Sequence, residues 1–290
     1  MICIKLQGGF GNQLFQYAAA MALADFHKTT VGFDLRFLNK QGQDQKHTMR
    51  AYALDLFAIP FEELTFLDEI ALNFRRLPIQ HGIQKILNQS KKWITYDETS
   101  LLHEPDIRKL TSKNSYLTGY FQSEYYFKTV EDKIRKVCQF TNMADNWDSD
   151  RIMRTNSVSM HVRRGDYILN PDVHRYHGLC SVDYYEKAVR FIAERQADLH
   201  LFVFSDDITW ARRHLQFPFP THFLSYSQEE DLWLMSCCQC HIIANSSFSW
   251  WGAWLNKNPK KIVVAPVRWF ADDKAESQSL TIVPETWVRI

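Results

Sequence analysis

The sequence predicts an α/β protein with two domains, each built around a parallel sheet. Its 290 residues are enough for two hydrophobic cores, and 46% hydrophobic with 23% charged residues is ordinary for a globular chain. The chain opens with a β-loop-α unit, and from Val158 onward short apolar segments alternate with helical patterns. These observations exclude a disordered, collagenous or coiled-coil protein.

In the first half, an apolar strand over residues 2–6 precedes a glycine-rich loop at 8–13, a helix over 14–26 and a strand over 30–34. Two later segments repeat apolar residues every three or four positions, as helices do. They comprise Leu64, Leu67, Ala71 and Phe74, then Phe127, Val130, Ile134 and Val137. The polar stretch 141–157 predicts a boundary between domains at 1–145 and 155–290.

The second half is more regular. Strands are predicted at 158–162, 200–204, 222–224, 242–244 and 262–265, and helices at 184–195, 208–215, 228–238 and 248–255. Ser227 and Glu230 have the spacing of a capping box at one helix start. Residues 232–256 lack Asp, Glu, Lys and Arg, but their many polar side chains favour a buried helix, strand and helix over a membrane span.

Polar clusters follow four of the predicted strands, at residues 8–13, 161–166, 205–207 and 245–247. Ligands of parallel sheets bind outside the carboxyl ends of the strands, so these clusters are expected to line one site. With 34 Lys plus Arg against 33 Asp plus Glu, the net charge of +1 predicts no general attraction to nucleic acid or anionic membrane. Any anionic ligand must therefore be bound by a local cluster.

The glycine-rich loop can bring backbone N–H groups and a helix N-terminus against a pyrophosphate. Gly9 and Gly11 approximate a dinucleotide fingerprint, although Leu14 replaces its third glycine, and Asp34 lies at a strand end 23 residues after Gly11. A nicotinamide-dependent oxidoreductase is therefore one alternative, and a tight turn without any ligand is another.

Arg163 and Arg164 lie at a strand end, where alternation sends their side chains to opposite sides, so one of them is expected to hold a diphosphate. Asp166 could orient an arginine or accept a proton, and a surface ion pair is the alternative. Ser246 and Ser247 could bind phosphate while they cap a helix, or cap it alone. The aromatic residues that follow them are interpreted as core: Phe248, Trp250, Trp251 and Trp254.

No metal site is predicted. Asp148 and Asp150 imitate a D-x-D metal site, but no strand precedes them. Cys237, Cys238 and Cys240 lack the spacing of a zinc site and are interpreted as core thiols. The N-terminus has no signal-peptide pattern, so the protein is expected to stay cytoplasmic.

Together these clusters resemble the bacterial α-1,2-fucosyltransferase family, which is similar to glycosyltransferase family 11. The resemblance runs from residue 1 to about 266 through the GGFGNQLFQYA, HVRRGDY, FSDD and NSSFSWWGAW segments, and GYFQSE at 119–124 also fits. It implies a GT-B-like fold, two Rossmann-like domains facing across a cleft, with the acceptor on the side of domain 1–145 and GDP-fucose in domain 155–290. The implied reaction is an inverting, metal-independent transfer of L-fucose from GDP-β-L-fucose to the 2-hydroxyl of a terminal β-galactoside.

The resemblance also implies roles for single residues. Arg163 would neutralise the diphosphate, His161 would shape that site, and Asn12 would lie near the same phosphates. Asp231 would bind guanine, and Ser246, Ser247 and Phe248 would complete the nucleotide pocket. Asp166 is the first candidate for a general base and Glu124 the second, and a pathway with a weak base or none also fits.

No cofactor or nucleic acid is expected, and the partners are the nucleotide sugar and a galactose-terminated acceptor, which could be lipid-linked at the inner face of the membrane. A glycan-binding protein without catalysis is the alternative from another class, since 14% of the residues are aromatic.

Overall fold

The computed structural model describes residues 1–40, 50–64, 68, 93–141, 143–144 and 146–290, without the side chains of Lys40 and Asp166. This part of the chain forms two compact units, Met1–Val137 and Cys138–Ile290. Each unit contains one sheet in which all paired strands are parallel. The predicted α/β class with two Rossmann-like domains is confirmed.

In the described residues of the first unit, the strand order is β3-β2-β1-β5-β4. The strands are β1 (Ile2–Lys5), β2 (Val31–Asp34), β3 (Glu62–Glu63), β4 (Ile94–Asp97) and β5 (Ser115–Thr118). The helices are α1 (Phe10–His27), α2 (Arg36–Lys40), α3 (Ile107–Leu110) and α4 (Glu131–Val137), with 3-10 turns at Glu124–Tyr126 and Lys128–Val130. β1 is central, and its first three residues, Ile2–Ile4, are apolar and buried, as expected of a strand covered on both faces.

Three predicted helical segments of the first unit differ from the structure or include residues that it does not describe. Helix α1 begins at Phe10, four residues before the predicted start, because Gly9 takes an extended conformation at the N-cap and the Phe10 side chain is already buried. The pattern at 127–137 folds as a 3-10 turn followed by α4. Of the pattern at 64–74, Leu67, Ala71 and Phe74 lie outside the described residues.

The second unit has the strand order β11-β10-β9-β6-β7-β8. Its strands are β6 (Asn156–Val162), β7 (Leu199–Ser205), β8 (Thr221–Leu224), β9 (Cys240–Ile242), β10 (Val263–Ala265) and β11 (Val288–Arg289). Its helices are α5 (Trp147–Arg154), α6 (Gly165–Leu169), α7 (Pro171–His177), α8 (Val182–Ala193), α9 (Ile208–His214), α10 (Gln228–Cys237), α11 (Ser247–Leu255) and α12 (Asp273–Ser277). Counted from β6, this is the order 3-2-1-4-5-6 of a dinucleotide-binding sheet.

A helix, α5, occupies about half of the polar stretch 141–157 that was predicted to be the domain boundary. The Asn146 side chain caps α5 and forms a capping box with Ser149, while Ile152 is fully buried against Phe202 and Phe204 of β7. A short helix with one buried turn carries too few apolar residues to be recognised by composition. The segment belongs to the second unit.

The sheet of the second unit is covered on both faces. Leu201 and Val203 of β7 pack with helix α8 on one face, whereas Phe202 and Phe204 pack against helix α10 on the other. This alternation is the two-residue period of a strand. Ser227 caps α10 with the expected box to Glu230, so that prediction is confirmed.

Residues 232–256 fold as predicted into the end of α10, strand β9 and helix α11. Trp250, Trp251 and Trp254 are buried in contact with one another, which confirms that these aromatics belong to the core, whereas Phe248 is half-buried. Strand β9 lies two residues before its predicted position because the whole run 240–244 is buried and hydropathy does not mark where pairing ends. In the described ranges, no helix has the length and apolarity to span a membrane.

Candidate active site

The strand order of the second unit brings two of the predicted clusters together. The chain runs from β6 outward through β7 and β8, then returns to place β9 on the opposite side of β6. The order therefore reverses between β6 and β9, and ligands of such sheets bind outside the carboxyl ends of the strands at this point. The two clusters are adjacent there, since the ring centroids of His161 and of Phe248, the residue directly after the 245–247 cluster, are 5.6 Å apart.

Arg163 and Arg164 leave the end of β6 toward different partners. The Arg163 guanidinium pairs with Asp206, with Nη1 2.8 Å from Oδ2, and lies over the ring of Tyr167. Arg164 stacks on Trp210, 3.7 Å from the ring centroid, and its Nε is 3.4 Å from Asp207. The sequence pointed to a cluster at 205–207 but gave no role to these two aspartates.

His161 is buried and stays neutral at physiological pH. Burial lowers the pKa of its ring to about 4, the Arg163 cation acts in the same direction, and Asp206 opposes both. No described residue hydrogen-bonds to its buried Nδ1. A neutral imidazole with an unmade hydrogen bond beside an arginine is equipped to contact a polar ligand.

Ser246 and Ser247 begin helix α11 at the end of the β9 segment. Ser246 is the N-cap, and its hydroxyl accepts the Phe248 N–H at 3.3 Å. Ser246 therefore caps α11, as predicted. The N-terminus of this helix, the positive end of its dipole, lies where the strand order of the sheet reverses. Ser247 and Phe248 are half-buried at the same helix start.

Asp231 lies in the first turns of α10, the helix that packs against α11. The packing is close, because a Cβ on Gly252 would lie 3.0 Å from the Met235 Cβ. Burial raises the pKa of Asp231 to about 7, and the neighbouring Glu230 adds to the shift, while an N–H from Tyr226 opposes it. Asp231 therefore changes charge within the physiological pH range.

Asp166, the first candidate for a general base, belongs to α6, and its side chain lies outside the described residues. Glu124, the second candidate, begins the 3-10 turn at Glu124–Tyr126 in the first unit. Its carboxylate lies 3.7 Å from Lys128 Nζ, and its side chain is 17% exposed.

The glycine-rich loop of the first unit connects β1 to α1. Gly8 has φ +78°, and a Cβ there would collide with Asn12 Nδ2, so this position requires glycine. Gly9 is the N-cap of α1 and has no side chain that could cap the helix, and Gly11 and Asn12 lie in the first turn. The loop therefore presents the start of a long helix, which is the arrangement that binds anions.

The segment 119–124 lies beside this loop. Gln122 donates from Nε2 to Asn12 Oδ1 at 2.7 Å, and Gln16 of α1 donates to the Gly119 carbonyl at 2.9 Å. Glu98 supports the same segment, since its carboxylate accepts the N–H groups of Tyr120 and Phe121 at 2.7 and 3.0 Å. The sequence did not predict the part that Glu98 plays, because the residue follows an exposed strand with no apolar pattern.

Asp34, the residue that would bind the ribose of a nicotinamide cofactor, already has partners within the protein. Its carboxylate is buried at the end of β2, where Arg36 binds it through two nitrogens at 2.9 and 2.7 Å and the Tyr116 hydroxyl donates to it at 2.7 Å. A ribose hydroxyl would have to displace these groups.

The second unit also contains a cavity of about 540 Å³ near the ends of β10 and β11. Asn245 lies on its wall and is held by hydrogen bonds from its side-chain amide to the carbonyls of His177 and Trp269. Cys180 and Tyr184, near the start of α8, also line it, and Cys180 Sγ lies 3.6 Å from Asn245 Oδ1. The cavity therefore adjoins the residue that precedes Ser246.

The residues weighed as metal ligands have other contacts. Asp148 accepts the Tyr226 hydroxyl at 2.8 Å and lies on α5 with Asp150. Cys238 and Cys240 are buried, as expected of core thiols, and Cys237 is half-buried. Across the residues described by the structure, no cluster of three His, Cys, Asp or Glu side chains is arranged to hold a metal ion.

Two parallel α/β units with polar clusters at the strand ends define a Rossmann-like protein. The chain matches Glycosyl transferase family 11 over residues 1–290 and belongs to that family, which confirms the resemblance. It is 34% identical to an alpha-1,2-colitosyltransferase of Escherichia coli, over 100% of this chain and 99% of that protein. It is 35% identical to the O-antigen biosynthesis glycosyltransferase WbnK of Escherichia coli, over 98% and 99% of the two chains.

Among solved structures, the chain is similar to the fucosyltransferase NodZ from Bradyrhizobium, with 13% identity and a TM-score of 0.44. The match covers 87% of this chain and 92% of NodZ.

Proposed function

We propose that the protein is a galactoside α-1,2-fucosyltransferase that moves L-fucose from GDP-β-L-fucose to the 2-hydroxyl of a terminal β-galactoside. The observation that supports it most is the group of His161, Arg163 and the start of α11 at the reversal point of the second sheet. These groups combine a fixed cation, an unmade imidazole hydrogen bond and a helix N-terminus, which suit a nucleotide diphosphate.

In the proposed reaction the acceptor oxygen attacks C1 of fucose on the face opposite to GDP. The bond between C1 and the diphosphate oxygen breaks, its electron pair stays on GDP, and a base takes the acceptor proton. Negative charge grows on the diphosphate as the fucosyl group becomes oxocarbenium-like, so fixed positive charge stabilises the transition state more than the ground state. Arg163 and the α11 amides would supply it without a metal.

Asp231 is proposed to bind the guanine of the nucleotide. An ionised carboxylate can accept two N–H groups from the guanine edge, and adenine and uracil do not offer that pair of donors. Asp166 is the proposed base for the acceptor hydroxyl, and Glu124 is the second candidate. The first unit, with Asn12 held by Gln122, is proposed to serve the acceptor side and the phosphates.

The relative that is an alpha-1,2-colitosyltransferase supports a second candidate donor. Colitose is fucose without the 3-hydroxyl, so a pocket for one sugar can accept the other unless a side chain binds that hydroxyl. The same chemistry at the diphosphate would serve both donors. We propose that the protein acts from the cytoplasmic side, on an acceptor that can be lipid-linked.

One assay tests the reaction directly. The purified protein is incubated with GDP-fucose or a colitose donor and a small panel of β-galactosides, and the products are analysed by mass spectrometry and linkage analysis. A deoxyhexose linked α-1,2 to galactose is expected, and a 2-deoxygalactoside should give no product. Transfer to another hydroxyl, or hydrolysis alone with every acceptor, would contradict the proposal.

A further inference from the structure

Asp206 lies beside Arg163 because of the register between β6 and β7. Val162 pairs with Ser205 at the ends of these parallel strands, so the next residues, Arg163 and Asp206, leave the sheet side by side. The Ser205 hydroxyl also donates to the Val162 carbonyl at 2.9 Å. The ends of the two strands are therefore fixed to each other at the point where the arginine begins.

The two oxygens of Asp206 bind different groups of the same loop. Oδ2 is 2.8 Å from Arg163 Nη1, and Oδ1 accepts the backbone N–H of Arg164 at 2.8 Å. The backbone bond fixes the carboxylate, and the carboxylate in turn fixes the guanidinium. Gly165 completes the arrangement, since a Cβ there would lie 2.6 Å from Asp206 Oδ2.

The pair differs from an ordinary surface ion pair. The side chains of Arg163 and Asp206 are 22% and 26% exposed, so both are largely shielded from solvent. An exposed ion pair would hardly fix the orientation of its arginine, because water and salt weaken the attraction and two long side chains must lose their freedom to keep one geometry. Here the aspartate is short, anchored to backbone and partly buried, so it can set the direction of the guanidinium before a ligand arrives.

We propose that Asp206 is a positioning residue that orients Arg163 for the diphosphate of the donor; this rests on the proposed function. It acts through Arg163 and touches neither reacting sugar. The negative charge of Asp206 weakens the attraction between Arg163 and the diphosphate. In return, Asp206 holds the guanidinium of Arg163 in a fixed direction. The effect is expected mainly in kcat, because a misdirected fork misses the charge that grows in the transition state.

The experiment compares wild type, Asp206→Ala, Arg163→Ala, the double variant and Asp172→Ala by steady-state kinetics with GDP-fucose, with thermal melting as a folding check. Asp172→Ala is the matched control, because Asp172 also pairs with an arginine, Arg175, but that pair is exposed and lies outside the clusters of the site. Asp206→Ala is expected to lower kcat on the order of 10²-fold, with KM for GDP-fucose changed much less. Asp172→Ala should keep kcat near wild type.

Rescue by added formate distinguishes a positioning role from a purely structural one, because formate would not restore kcat if Asp206 only stabilised the fold. It can enter the space left in Asp206→Ala and pair with Arg163, so it should restore kcat about tenfold in that variant while the double variant gains nothing. Should Asp206→Ala fail to fold, Asp206→Asn replaces it: its amide oxygen can still accept the Arg164 N–H, and its loss of kcat should vanish in an Arg163→Ala background.

Each outcome decides the matter. The inference is overturned, and the proposed function is kept, if the wild type is active and the Asp206 variant has a kcat within about threefold of it. Equal rescue by formate with and without Arg163 has the same consequence. If the wild type shows no turnover with GDP-fucose or a colitose donor, the proposed function fails, and the inference fails with it.

Discussion

At the level of single residues, Arg163 and Arg164 can be separated because they contact different elements. Arg163→Ala should lower kcat on the order of 10²–10³-fold, since it removes a charge-assisted contact that strengthens as the leaving group gains charge. Arg163→Lys should recover little, because lysine keeps the charge and loses the planar fork. Steady-state kinetics on folded protein, checked by circular dichroism, measure both.

Arg164→Ala is the neighbouring control. Its guanidinium stacks on Trp210 and pairs with Asp207 at the start of α9, so its loss should lower the melting temperature and leave a larger residual kcat. Near-normal turnover of Arg163→Ala, or a deeper loss of kcat in Arg164→Ala, would reverse the assignment of the two arginines.

Asp231 should make nucleotide binding depend on pH. Its folded-state pKa of about 7 is above the ordinary value, so the carboxyl must lose a proton before it can accept two guanine N–H groups. GDP affinity should rise with pH through 7 and fall about tenfold for each unit well below it. Asp231→Asn should weaken GDP binding by ~1–3 kcal/mol at pH 8.

Calorimetry at pH 6, 7 and 8 on wild type and Asp231→Asn checks this prediction. The diphosphate of GDP titrates equally in both proteins, so the difference between the two pH profiles belongs to residue 231. Parallel profiles, or equal wild-type affinity for GDP and ADP, would remove Asp231 from the guanine site.

At the level of elements, His241 connects the two central strands of the second sheet to helix α11. Its Nδ1 is 2.8 Å from the Ser159 hydroxyl on β6, and its Nε2 is 2.8 Å from Asn256 at the C-cap of α11. The ring is fully buried, and burial, followed by the charge of Lys261, lowers its pKa well below the ordinary value. The folded protein therefore holds it neutral.

This group should make the protein less stable in acid. The unfolded chain takes up a proton at His241 near pH 6.5 and the folded chain does not, so stability is lost as pH falls through that value. Between pH 7.5 and 5.5 the loss due to this residue should be about 1.4 kcal/mol. Urea unfolding of wild type and His241→Gln at both values measures it, and an unchanged difference between the two proteins would contradict it.

The sequence predicts elements well where burial follows a clear period. Strands β6 and β7 and helices α8 and α10 lie within about two residues of their predictions, because each carries its own apolar pattern. Strand β4 was not predicted because it is mostly exposed, and α5 was not predicted because it has a side-chain cap but only one buried apolar residue, Ile152. Patterns report burial along the chain, and these elements depend on tertiary contacts.

The same limit applies to the site. Strand-end logic located the clusters at 161–166, 205–207 and 245–247, since chain order and polarity suffice for that. It could not say that Asp206 pairs with Arg163, because that contact depends on the register of β6 against β7. Nor could it find Glu98, whose partners are two backbone amides more than twenty residues away.

At the level of the whole molecule, nucleotide binding should be visible as stability. A ligand that binds only the folded state stabilises it by about 2.7 kcal/mol at a hundred times its Kd, which raises the melting temperature by several degrees. GDP should do this, whereas NAD should not, because Arg36 and Tyr116 already bind Asp34. Scanning fluorimetry with GDP, NAD and free oligosaccharide separates the three classes of protein considered from the sequence.

A larger shift with NAD than with GDP would favour the oxidoreductase. A shift with oligosaccharide alone would favour a glycan-binding protein.

The last prediction concerns how the whole site balances the charge of the departing GDP. A metal ion is one way to stabilise this charge, and a guanidinium with helix N-terminal amides is another. Arg163, the neutral His161 and the start of α11 lie at the same point of the second sheet. The fold therefore already supplies a guanidinium and helix N-terminal amides for this charge. Turnover should therefore survive EDTA and gain little from added magnesium or manganese. Initial rates in EDTA, in magnesium and in manganese test this, with Arg163→Ala alongside: loss of wild-type turnover on chelation, restored by either metal, would show that a metal ion rather than the arginine neutralises the leaving group.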